Sequence, residues 1–308
     1  MEERSDDKGF EVGPPEPARN TFRGRAVTPG EGATPGLASP PAGLYCPSSF
    51  DSPVVKALAP PLVIVLAVAI KGSALGFLLE GFHVWIHEVG HASVAWLSAR
   101  PAVPLPIGWT NVEPQKSLVL YLSLVAASIA LGVAGWRERK AWPMFLAAGL
   151  LGAQSYMTWG LSEDRARQWM IFAGVGGEFY LSAAMVCLFF FEFPQRFRWG
   201  GCRYVVLFIG AASFFESYSF WKQVKRGAEG IPFGSMINGE DDGGGDMNIL
   251  MDDYRWTQHQ IVFTYNHLAD ACLLAVLLVY LVFNLRLNEI VNPLLARWFS
   301  IGLQTSDR

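Results

Sequence analysis

The chain has 308 residues, 51% of them hydrophobic and only 17% charged, with a formal net charge of −3. There is no concentrated basic patch, which argues against nucleic acid as a partner. A mean hydropathy of +0.26, with charge segregated along the chain, points to a membrane protein.

Residues 1–56 are polar, rich in Pro and Gly, and carry mixed charge, as in Pro14-Pro15-Glu16-Pro17. Such a composition buries too little apolar surface to fold alone, so a disordered N-terminal tail is expected, without a signal peptide. A membrane domain follows at 57–285. Its apolar runs fall at about 57–80, 82–99, 117–135, 142–161, 168–193, 203–221 and 260–284. Most approach the roughly 20 residues that a helix needs to cross a bilayer. The runs are uninterrupted rather than alternating, so helices and not barrel strands satisfy the backbone. The expectation is an all-α, polytopic helical membrane protein with six or seven transmembrane helices, because the first two runs are nearly continuous. A C-terminal tail is expected at 286–308. Gly72 and Gly76 form a G-x-x-x-G pair, which permits close helix packing. Arg and Lys fall in loops on both sides, so the positive-inside rule gives no orientation. Cys46, Cys187, Cys202 and Cys272 form no C-x-x-C pair and suggest no disulfide framework.

The chemistry concentrates at His87-Glu88-Val89-Gly90-His91, an H-E-x-x-H motif inside an apolar stretch. Residues four apart share a helix face, so both imidazoles can point at one Zn²⁺. Glu88 lies beside the first His and suits the general-base role in metal-assisted hydrolysis. With five His in the chain, a chance pair at this spacing is uncommon. The alternative is a helix whose histidines are satisfied by their neighbours. Polar side chains at membrane depth are costly and tend to mark function. His83 extends the stripe. Eight residues rise about 12 Å, too far for His83 and His91 to share an ion. Its role is therefore beside the ligands or at a wet helix end.

A catalytic zinc takes three protein ligands and leaves a position open. The polar loop at 222–258 offers Asp246, which follows three glycines and precedes Ile249 and Leu250. An acid held at the start of a short helix beside a membrane cavity would complete the site. Asp241 and Asp242 are alternatives in the same loop. Glu178, in Gly174-Val175-Gly176-Gly177-Glu178, is either the third ligand or a group orienting a ligand histidine. Asp270, with Asn266 and His267, forms a polar patch in the last run.

The motif at 87–91, followed by Ala92-Ser93 on a helix preceded by an apolar span, resembles the active-site helix of the site-2 protease family of intramembrane zinc metalloproteases. The resemblance covers about 20 residues. It implies a helical membrane core with zinc below the membrane surface, His87 and His91 as ligands and Glu88 as base. The family takes its third ligand from an Asp in an N-P-D-G or L-D-G motif, and this chain has none. Asn292-Pro293 runs into Leu294-Leu295.

The expected function is cleavage of membrane-embedded or membrane-adjacent peptides by an integral, multi-pass protein of a bacterial cytoplasmic membrane. Its partners would be the lipid bilayer and a membrane protein or peptide substrate. The alternative is a non-enzymatic transporter or scaffold with a structural or vestigial metal site. A haem protein pairing His83 or His87 with His267 leaves Glu88 without a role.

Overall fold

The computed structural model describes residues 52–71, 73–193, 201–234 and 244–287. All belong to the second of two compact units, Pro41–Arg308. Residues 1–51, Gly72, Asp241, Asp242 and 288–308 lie outside the described residues, and with them Cys46 and nearly all of the two expected tails.

Eight α-helices are described: α1 Pro53–Ile70, α2 Ala74–Leu97, α3 Leu118–Arg137, α4 Ala141–Ser155, α5 Glu163–Leu188, α6 Cys202–Arg226, α7 Asp246–Asp252 and α8 Gln258–Asn284. A hairpin of β1 Ala102–Leu105 and β2 Trp109–Val112 joins α2 to α3. Five helices (α1, α3, α5, α6 and α8) are long and apolar enough to cross a membrane. The other two apolar runs of the sequence are α2 and α4. Helix α2 has the length but carries Glu80, His83, His87, Glu88 and His91, and α4 has only 15 residues before a π-helical turn at Tyr156–Gly160.

Local chemistry sets the boundaries. Ser52, Ser73, Ser117 and Ser162 each accept a backbone N–H at a helix start, satisfying donors that have no partner inside the helix. Ser73 thereby fixes the break between the first two runs, which hydropathy leaves open. Thr257 and Gln260 form a reciprocal capping box at α8. Helix α6 runs to Arg226 and stops at Gly227, whose φ of 74° is left-handed. The polar loop therefore begins one turn later than the charges at Lys222 and Lys225 suggest.

Helix α5 is the centre of the domain. It packs against α2, α6, α7 and α8. Ala173, Gly174, Val175, Gly176 and Gly177 are all buried, so the helix presents backbone rather than side chains on several sides. A Cβ on Gly90 would run into the Ala173 carbonyl, and one on Gly177 would run into Gly90 itself. Small residues thus bring α2 and α5 to backbone contact, as expected of membrane helices. Tyr180 and Ser93 both donate to the Gly90 carbonyl, at 3.2 and 2.7 Å, and clasp the crossing. Beyond it lies the apolar core of Phe179, Phe214, Trp221, Met247, Leu250, Ile261 and Tyr265. Leu62, Val65, Val119 and Leu274 point outward, as lipid-facing positions do. Cys187, Cys202 and Cys272 are free thiols.

Candidate metal centre

The α2–α5 contact brings the histidine stripe of α2 against the glycine-rich face of α5. His87 and His91 lie one helical turn apart, and their Nε2 atoms are 3.2 Å from each other. The opposite ring nitrogens are both engaged. His91 Nδ1 donates to the Met170 carbonyl at 2.7 Å, and His87 Nδ1 meets Glu178 Oε1 at 2.7 Å. A carbonyl only accepts, so His91 carries its proton on Nδ1, and the carboxylate favours the same tautomer in His87. In the neutral rings, both Nε2 lone pairs then face the shared space.

Asp246, the first residue of α7, closes that space. Its Oδ2 stands 3.2 Å from His87 Nε2 and 3.3 Å from His91 Nε2. The three atoms form a nearly equilateral triangle. Ligands 2.0–2.1 Å from a tetrahedral zinc are separated from one another by about 3.3 Å. Oδ2 is buried and makes no hydrogen bond among the described residues. Three lone-pair-bearing atoms this close repel one another unless positive charge lies between them.

Gly174 provides the room. A Cβ built there would stand within 2.6 Å of His87 Nε2, His91 Nε2 and Asp246 Oδ2 together. Any other residue would fill the volume that the three ligand atoms enclose. The donor set, the triangle and the vacant side of Gly174 all fit a zinc ion held by His87, His91 and Asp246.

Glu88 is buried, and ligand atoms of His87, Glu88 and His91 lie within 4.8 Å of one another. Of the two carboxylates, Asp246 completes the triangle with the histidines, whereas Glu88 Oε2 accepts a hydrogen bond from Thr110 Oγ1 at 2.6 Å. The same hydroxyl lies 3.0 Å from the Glu88 carbonyl. Thr110 belongs to β2, opposite Pro104, and the hairpin rests on α2 through Trp85 Nε1 to the Pro104 carbonyl and Trp96 Nε1 to the Ala102 carbonyl. The hairpin therefore fixes the carboxylate beside the ligands.

Glu178 serves the centre from behind. It is buried, and Ser217 Oγ donates to its Oε2 at 2.7 Å while Oε1 faces His87. His83 Nε2 lies 3.5 Å from Oε2, so the first histidine of the stripe stands beside Glu178 and not with the ligands. A cleft of about 40 Å³, lined by apolar residues and by Lys71, Glu80, His83, Ser213 and Glu216, opens next to it. That is enough room for water. Asp270 is elsewhere, paired with Lys222 at 2.7 Å and bonded by Tyr218 at 3.1 Å. His267 Nδ1 donates to the Phe263 carbonyl within α8.

Sequence reasoning weighed Asp246 and Glu178 and missed Gly174 and Thr110. Gly174 leaves its trace in the G-V-G-G run, which also reads as generic helix packing. Thr110 leaves none. Comparison of the chain with family models, curated proteins and solved structures finds no match.

Proposed function

We propose that the protein is an intramembrane zinc metalloprotease. The observation that carries the reading is the convergence of His87 Nε2, His91 Nε2 and Asp246 Oδ2 on one small volume beside a buried, oriented Glu88. The motif's resemblance to the site-2 protease family and the five apolar helices support the same reading.

His87, His91 and Asp246 hold the metal, and Glu178 and the Met170 carbonyl fix the imidazole orientation. Zinc held there would supply Lewis acidity for a peptide carbonyl and would acidify a water toward neutral pH. Glu88 is placed to accept a proton from the attacking water on its carboxylate and to return it to the leaving amine. The Thr110 hydroxyl holds Oε2 in place and leaves the other oxygen, Oε1, for this transfer. Water would reach the site from the cleft at His83. The substrate class is a peptide within or beside the membrane.

A structural site, the rival reading, uses four protein ligands and needs no base. Here three ligand atoms converge among the described residues, and a fourth group, Glu88, is held by a hydroxyl nearby.

The test is metal analysis of the full chain purified in detergent, followed by cleavage of reconstituted single-span peptides. Wild type is expected to hold one zinc per chain and His87→Ala none. Glu88→Gln is expected to keep zinc and lose about 10²–10⁴-fold in cleavage rate. A wild-type chain without stoichiometric metal overturns the proposal, and a fully active Glu88→Gln chain overturns the protease assignment.

A further inference from the structure

A second cleft, of about 430 Å³, lies between α5 and α8 at the end where both helices begin. Its walls include Trp169, Phe172 and Trp256. The Phe172 ring centroid lies 6.4 Å from that of Trp169 and 6.1 Å from that of Trp256, so the three form a continuous aromatic lining. The polar rim is Arg165, Gln168, Gln260 and Thr264.

The hydrogen bonds of this rim are directional. Gln168 Oε1 accepts from Arg165 Nη1 at 2.9 Å. Gln260 Oε1 accepts from the Thr257 N–H at 2.8 Å. Both amide oxygens are thus occupied, and both –NH₂ groups are left to donate. Gln168 is only 8% exposed, and its amide oxygen is held by Arg165. Arg165 forms no ion pair among them, whereas Arg167 nearby engages Asp253 at 3.6 Å. A guanidinium, two amide –NH₂ groups and a hydroxyl therefore face one cleft without a carboxylate. Donors gathered on one rim without a carboxylate suit an anionic acceptor.

We propose that this cleft binds the phosphate of a membrane phospholipid, with the first part of the acyl region on the aromatic wall. A planar guanidinium matches phosphate oxygens in pairs. The cleft is far larger than one phosphate ion, and the rings take the apolar remainder of an amphiphile. Tryptophans and arginines at the ends of spanning helices mark headgroup level. The site is separate from the metal centre, and the proposal does not depend on proteolysis.

The experiment is calorimetric titration of the full chain in detergent with a short-chain phosphatidylglycerol below its micelle concentration, with inorganic phosphate in parallel. Saturable lipid binding is expected, weakened about tenfold by Arg165→Ala and by Gln168→Leu. Trp169→Ala, at a half-exposed position, is expected to weaken it as well and serves should Gln168→Leu not fold. Lys225→Ala is expected to leave the affinity unchanged. Inorganic phosphate is expected to show no saturable binding at the same concentrations. Wild-type affinity in the Arg165 and Trp169 variants overturns the site. Phosphate binding as tightly as the lipid overturns the lipid as its ligand.

Discussion

Gly174 on α5 faces Asp246 on α7 across the volume into which His87 and His91 point, and it has no side chain to fill it. Gly174→Ala is therefore expected to abolish zinc binding while leaving the histidines and Asp246 intact. The methyl group meets side-chain atoms of the site, so the helix is kept and the cost falls on the metal. In a helix interior, Ala is favoured over Gly by about 0.5–1 kcal/mol, so the loss of metal need not come with loss of fold. Zinc content and circular dichroism on the same sample check this. Full zinc occupancy in the variant refutes the placement.

Glu178 is expected to tune the centre without binding the ion. Its Oε1 holds His87 Nδ1 at 2.7 Å. Groups behind a ligand histidine typically contribute 10–100-fold in metal affinity. Glu178→Gln keeps an acceptor oxygen and should weaken zinc by about tenfold, whereas Glu178→Ala should approach about a hundredfold. Competition with a zinc-selective chelator measures both. Equal affinity in the two variants and wild type removes Glu178 from the site.

The site was partly legible because part of it is local. His87, Glu88 and His91 share one helical turn, and period alone puts the two histidines on one face. Asp246 was legible as an acid at the start of a short helix, which α7 bears out. Whether Glu178 was a ligand or an orienting group stayed open, because the answer depends on the α2–α5 crossing. That crossing rests on Gly90 meeting Gly177, residues 87 positions apart in the chain. The hairpin went unread for a different reason. Pro101, Pro104 and Pro106 interrupt any strand pattern, and proline is confined to edges and ends of sheets. A two-stranded hairpin is all edge, so the prolines are tolerated where a sequence reading sees a loop. In the count of spans, hydropathy treated α2 as one more apolar run, although its polar stripe is what the site is made of.

Chelation should loosen the contact between α2 and α7. In the proposed site a shared ion would join Asp246 to the histidines, whose Nε2 atoms stand 3.2 and 3.3 Å from its Oδ2 with no side-chain charge between them. Treating the purified chain with a membrane-permeant zinc chelator is expected to lower its melting temperature, and adding zinc should restore it. His91→Ala should melt at the chelated temperature with or without zinc. An identical melting curve for the metal-loaded and chelated wild type would falsify a metal link between the two helices.

Thr110 is expected to act through Glu88 and not on zinc. Its hydroxyl donates to Oε2 at 2.6 Å and, by symmetry of reach, also approaches the Glu88 carbonyl at 3.0 Å. Thr110→Val preserves shape and removes the donor, leaving a buried carboxylate oxygen without its partner. A hydrogen bond to a charged group contributes about 1.5–3 kcal/mol, which corresponds to roughly 10–100-fold if it is lost where the base must be aligned. The variant should keep its zinc and its substrate KM, while kcat falls and its pH profile shifts. Thr110→Ser should restore most of the rate, because the hydroxyl returns. A Thr110→Val chain with wild-type kcat and pH profile would show that the hairpin supports α2 without orienting the base.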